Sequence, residues 1–123
     1  MNKNELENLM SQATGTESYH RINFGFTEIL ITDGVKMFIE NADAFWFVTD
    51  VVSYIPEMKK KAPNEYLFAI DLVVKDSKAK LIIRRGDDKT IIQQDYSYTD
   101  CPEGEWKFYY DVDSNVMLYY MEY

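Results

Sequence analysis

Residues 44–55 (AFWFVTDVVSYI) constrain the fold more than any other stretch of this chain. Phe45, Trp46, Phe47, Val48, Val51, Val52, Tyr54 and Ile55 leave only Thr49, Asp50 and Ser53 for a polar edge. A helix with so narrow a polar stripe is normally covered on two sides. The stretch is therefore expected to be the core helix, with Asp43 as its N-cap. Just upstream, Val35, Phe38, Ile39 and Ala42 recur at helical spacing behind Thr32 or Asp33, either of which can cap a helix. Pro56 is expected near the end of the core helix, leaving Lys59, Lys60 and Lys61 by its negative C-terminal end.

From Tyr66 onward the apolar period changes to two. Residues 66–75, 78–85, 90–98, 105–112 and 116–123 read as five strands, separated by turn residues at Asp76-Ser77, Gly86-Asp87-Asp88, 100–104 and Asp113-Ser114-Asn115. Breaks this short favour a sequential antiparallel meander. Before the core helix, residues 4–12 suit a short helix with Leu6, Leu9 and Met10 on one side, and residues 13–18 (ATGTES) are turn-rich. Residues 24–31 fit helix by Phe26, Ile29 and Leu30, and strand by their β-branched content. The expected architecture is a single α+β domain: N-terminal helices packed on one face of a mainly antiparallel, about five-stranded C-terminal sheet.

The elements TGTE (Thr14 to Glu17), Tyr19-His20-Arg21, TDGVKMF (Thr32 to Phe38), NADAFWF (Asn41 to Phe47) and Tyr98-Thr99-Asp100 form a recognisable pattern. The chain resembles a small bacterial family, also found in phages and mobile elements, that is catalogued as a domain of unknown function. The resemblance implies an aromatic-rich helix after the TDGV turn, a β-rich second half and an aromatic last strand. It implies no reaction. The chain departs from the pattern at Cys101 and in its long connection over residues 57–65.

The residues available for chemistry are few. One cysteine, Cys101, leaves no internal disulfide and no thiolate zinc cluster, and fits a reducing, cytoplasmic setting. One histidine makes a His-based metal centre implausible, and the five scattered glycines form no phosphate loop. No cofactor is expected. Neither a signal-type apolar segment nor a membrane-length apolar window is present. Asp111, Asp113, Asn115 and Glu122 fall on positions of a calcium-loop template, but Val116 stands where that loop needs glycine and strands flank it. Arg85-Gly86-Asp87 is best read as a hairpin tip. His20 either pairs with Glu17 as an acid–base couple or bonds to backbone beside a Thr-capped turn.

Charge carries more information. The chain has a net charge of −8, and its last 29 residues hold seven acids against Lys107 alone, together with nine Tyr, Trp and Phe side chains. Such a balance disfavours direct nucleic-acid or membrane binding, while acids mixed with Tyr and Trp suit a protein interface. The expected function is a non-catalytic acidic binding protein that engages a basic protein surface through Asp95, Asp100, Glu105, Trp106, Tyr109, Asp111, Asp113 and Tyr119. With the resemblance, the partner is expected to be a nucleic-acid-binding host protein such as a defence nuclease. The alternative is a small-ligand module or enzyme whose cleft is lined by Glu17, His20, Glu28 and Asp50.

Overall fold

The computed structural model describes residues 1–123. Its elements are α1 (Lys3–Met10), β1 (Tyr19–Asn23), β2 (Glu28–Thr32), α2 (Asp33–Asn41), α3 (Phe45–Lys61), β3 (Leu67–Lys75), β4 (Lys78–Arg84), β5 (Thr90–Tyr96), β6 (Gly104–Asp111), β7 (Val116–Tyr119) and a closing 3-10 turn at Tyr120–Glu122. The α+β class is as expected, with helices on one face of one sheet.

The sheet differs from expectation in strand number and order. It has seven strands in the order β1-β2-β7-β6-β3-β4-β5, and β2 runs parallel to β7. Of the two extra strands, β2 settles residues 24–31 on the strand side, and β1, where no element was expected, forms a hairpin with it around Gly25 (φ +90°), whose amide is held by the Asn23 carboxamide at 2.7 Å. Nor are the later strands a meander. The hairpins β3–β4 and β4–β5 form as expected, the first through Asp76 and Ser77, both at positive φ as a tight hairpin turn requires. Strand β6 then returns to pair with β3, so β6-β3-β4-β5 is a Greek key. The connection over residues 97–103 arches across the β3–β4 turn. The Thr99 amide donates to Ser77 O at 2.8 Å, and the Glu103 carboxylate accepts the Asp76 amide at 3.1 Å.

Strand alternation sends Ile29, Ile31, Phe68, Ile70, Leu72, Leu81, Ile83, Trp106, Phe108, Tyr110, Met117 and Tyr119 to the helix-covered face, where all are buried. Phe38 of α2 is the centre of this layer, with ring centroids 5.6 Å from Trp106 and 5.1 Å from Phe108. Phe47 of α3 packs on the same Phe108 at 5.1 Å.

Helix α2 starts at Thr32, as expected for one of the two candidate caps, and its hydroxyl accepts the Val35 amide. Helix α3 corrects three expectations. It is not covered on two sides: Phe45 is half exposed and Trp46 is only partly buried, while Phe47, Val48, Val51 and Val52 face the sheet. Asp43 does not cap it; Asp43 takes a left-handed turn conformation (φ +52°), and the cap position falls to Ala44 with no side-chain bond. The helix also runs through Pro56 to Lys61. Burial of Met58 and a bond from Lys61 Nζ to Ile91 O (3.0 Å) hold the last turn despite the missing proline amide.

Candidate functional site

Two polar corners stand at opposite ends of this framework. The first lies at the N-terminus of α2. Asp33, the first helical residue, accepts the Glu17 amide (2.9 Å), the Ser18 amide (3.4 Å) and His20 Nε2 (2.7 Å). Its own amide donates to Thr16 Oγ1, and the Thr16 hydroxyl donates to Ser18 O. The hydrogen bond from His20, and then the Glu17 amide, hold the Asp33 carboxyl below the usual aspartate range. Beside it, Glu122 reaches in from the C-terminus: its carboxylate accepts the Thr32 hydroxyl (2.5 Å), the Gly34 amide (2.9 Å) and the Tyr119 amide (2.8 Å). Negative charge at a helix N-terminus with free amides is favourable. A side chain on Gly34 would place its Cβ 2.5 Å from Glu122 Oε1.

The second corner lies at the far edge of the sheet, where the start of α3 meets β5 and the connection after it. A cavity of about 380 Å³ is lined by Asp43, Trp46, Asp50, Tyr96, Tyr98, Thr99 and Asp100. The Tyr96 hydroxyl donates to Asp50 Oδ2 (2.5 Å) and the Tyr98 hydroxyl to Asp100 Oδ1 (2.5 Å). Burial, reinforced by the Asp50 carboxylate, holds the Tyr96 phenol well above the ordinary tyrosine range. Trp46 stands edge-on to Tyr96 at 4.8 Å, its indole N–H donating to Asp43 O. The cavity lining contains no basic residue.

The residues expected to share one cleft do not. His20 is on β1 and Asp50 packs over β5, opposite edges of the sheet and roughly 29 Å apart at about 4.8 Å per strand. Glu17 is exposed, and only its backbone amide touches Asp33. Glu28 lies on the helix-free face, 3.6 Å from Arg21. The partner of His20 is Asp33, not Glu17.

The eight residues expected to form one acidic, aromatic sheet surface are also divided. Asp95, Glu105, Tyr109 and Asp111 do lie on the helix-free face. Asp113 is at the β6–β7 turn and Asp100 is in the β5–β6 connection. Trp106 and Tyr119 belong to the core, the former with its indole N–H bonded to Pro102 O. The helix-free face is not acidic: Glu28, Asp71, Asp95, Glu105 and Asp111 are interspersed with Arg21, Lys75, Lys78, Lys80, Arg84 and Lys107. Direct examples are Asp71 beside Arg84 (2.9 Å) and Asp95 opposite Lys80 in the ladder. The acidity of the chain therefore resides in the loops and turns between elements, which carry nine acids against Arg85 and Lys89, while α1, α2 and α3 together carry six acids against five bases.

Trp46, Tyr96 and Asp43 were missing from the expected sites. A signal for the inward turn of Trp106 was present: Glu105 and Lys107 flank it, and alternation that sends both charges out must send Trp106 in. Cys101 is buried, and burial pushes its thiol up to about 12, against any role as a nucleophile at neutral pH. No group of three acidic, His or Cys side chains is disposed to hold a metal ion, and no helix is long and apolar enough to cross a membrane.

These features define an α+β domain with one mixed sheet, helices on one face and two unlike polar corners. Residues 4–123 match the family of unknown function DUF6876, and the chain belongs to that family. Neither the curated proteins nor the solved structures contain a match.

Proposed function

We propose that this protein is a non-catalytic binding protein whose acidic loops engage a basic surface on another protein. The observation that supports this most directly is the separation of charge. The helix-free sheet face is balanced and the helices nearly so, while the loops and turns carry most of the negative excess. A field of this sign speeds encounter with a positive surface and weakens with salt over about 8–10 Å. The site thus moves from the last strands, where the acids are dense in sequence, to the loops. The specific form in which the partner is a nucleic-acid-binding host protein rests on the motif resemblance alone.

The test is binding to a purified partner, first identified by affinity capture at low salt. Glu17, Asp76 and Asp113 changed together to Gln, Asn and Asn, in the loops, should weaken the complex and flatten its salt dependence. Asp95, Glu105 and Asp111 changed to Asn, Gln and Asn, on the sheet face, should leave it nearly unchanged. The reverse ranking, or an affinity indifferent to salt, overturns the reading.

A further inference from the structure

The cavity between α3, β5 and the β5–β6 connection combines two features that point the same way. Its charged groups are three carboxylates without a base, and its walls are aromatic: Trp46, Tyr96 and Tyr98. Another cavity, of about 730 Å³ beside β6, mixes Lys3, Lys75 and Lys107 with Glu7, Glu103 and Glu105 and has no net sign.

At the acidic corner, each tyrosine hydroxyl fixes one carboxylate oxygen, leaving Asp50 Oδ1 and Asp100 Oδ2 with no hydrogen-bond partner in the protein. The Asp43 carboxylate has none either, because that residue is held through its backbone by Trp46. These oxygens are open acceptors, and they do not converge as a metal site. Aromatic faces next to unpaired carboxylates suit an organic cation, which the ring quadrupole and the oxygens both attract. Arg fits better than Lys, because a planar guanidinium can lie against a ring while directing N–H groups to two separate acceptors in its plane.

We propose that this corner is the receptor for an arginine side chain of the basic partner, its guanidinium lying against Trp46 and Tyr98 and bonded by the free oxygens of Asp50 and Asp100. The proposal rests on the functional reading above and names its anchor point. Arg is among the residues that most often dominate interface energetics, and a half-buried Trp in a rigid helix is a low-entropy surface for it.

The chain has only two tryptophans, and Trp106 lies in the core, so the two indole N–H resonances of the ¹⁵N-labelled protein separate the corner from the interior. Titration with N-acetyl-arginine amide should move the Trp46 resonance and leave that of Trp106 in place. N-acetyl-lysine amide should bind more weakly, and the neutral citrulline analogue should not bind. Asp50→Asn should weaken the arginine probe about threefold or more, the scale of one exposed charge contact. Because Asp50 also holds Tyr96, the pair Asp100→Asn and Tyr98→Leu, at exposed positions, provides the same readout without that liability. Equal binding of the citrulline analogue, unchanged binding in the Asp100/Tyr98 double variant, or equal movement of Trp106 overturns the proposal. A salt-dependent protein partner combined with a silent Trp46 leaves the acidic reading standing and removes this one.

Discussion

The two polar corners use the same side-chain chemistry to opposite ends. At the start of α2, Asp33 and Glu122 together accept six hydrogen bonds, from four backbone amides, one hydroxyl and one imidazole. At the start of α3, Asp50 and Asp100 each accept one, from a tyrosine, and α3 begins without a side-chain cap. A carboxylate filled by amides has been spent on the fold, since it ties the α2 terminus, the connection before β1 and the end of β7 together. A carboxylate filled on one side by a phenol is held in place and still open. On the proposed reading, the difference separates structure from recognition within one small protein, with the only histidine on the structural side.

The largest effect that can test this contrast is at Gly34. Gly34→Ala puts a methyl group into the Glu122 carboxylate and ejects it, leaving the Gly34 and Tyr119 amides and the Thr32 hydroxyl without their acceptor. The expected net cost is about 1–2 kcal/mol in urea unfolding, the lost hydrogen bonds being offset in part by the better helix propensity of Ala. A loss below about 0.5 kcal/mol would show that the closing turn is incidental.

Acid should reach the same corner next. Asp33 has a folded-state pKa below its unfolded value, so its contribution is present above the unfolded pKa and is lost as pH falls through the folded one. Asp33→Asn should therefore lower stability at pH 7 and make it less dependent on pH below about 4. An unchanged acid-unfolding profile would mean that the network around His20 contributes nothing.

The smallest effect belongs to the open corner. Asp100→Asn should leave the urea midpoint where it is. It should also bring the Tyr98 phenol, now raised by its bond to Asp100, back toward the ordinary tyrosine range in a spectroscopic titration. A clear loss of stability there would erase the distinction between the corners.

Much of the sheet was legible because its breaks are chemically marked. Asp76-Ser77 and Asp113-Ser114-Asn115 are turn residues between alternating apolar runs, and β3, β4 and β7 begin within a residue of where the pattern places them. Strand β1 was not legible, and β2 only as one of two readings of residues 24–31. Strand β1 is nowhere buried (Tyr19, Arg21 and Asn23 exposed, His20 and Ile22 intermediate), so it carries no clean apolar alternation. The order of strands was hidden for another reason: hairpin lengths say which strands are adjacent in sequence, whereas the return of β6 to β3 is decided by packing against Phe38 and Phe47.

The sites were misread through density. Seven acids crowd the last 29 residues, but strands and turns send them in different directions, while Asp43, Asp50 and Asp100, spread over 58 positions, meet in one cavity. The exchange of roles between Trp46 and Trp106 has the same origin. Trp46 sits in the most apolar stretch and is only partly buried at its margin; Trp106 sits among charges and is buried by alternation.

The bond between Glu122 and the start of α2 has a further consequence, in the order of assembly. It joins residues 88 and 90 positions apart, and the parallel pairing of β2 with β7 spans a similar separation. During synthesis α1, the β1–β2 hairpin, α2 and α3 are made early, but β2 has no inner neighbour and α2 no counter-charge until residues 116–122 have emerged. Contacts this distant in sequence slow folding and delay commitment to the native state. The final strand and turn act as the closing stitch of the domain, and the fold is completed only when synthesis of this segment is.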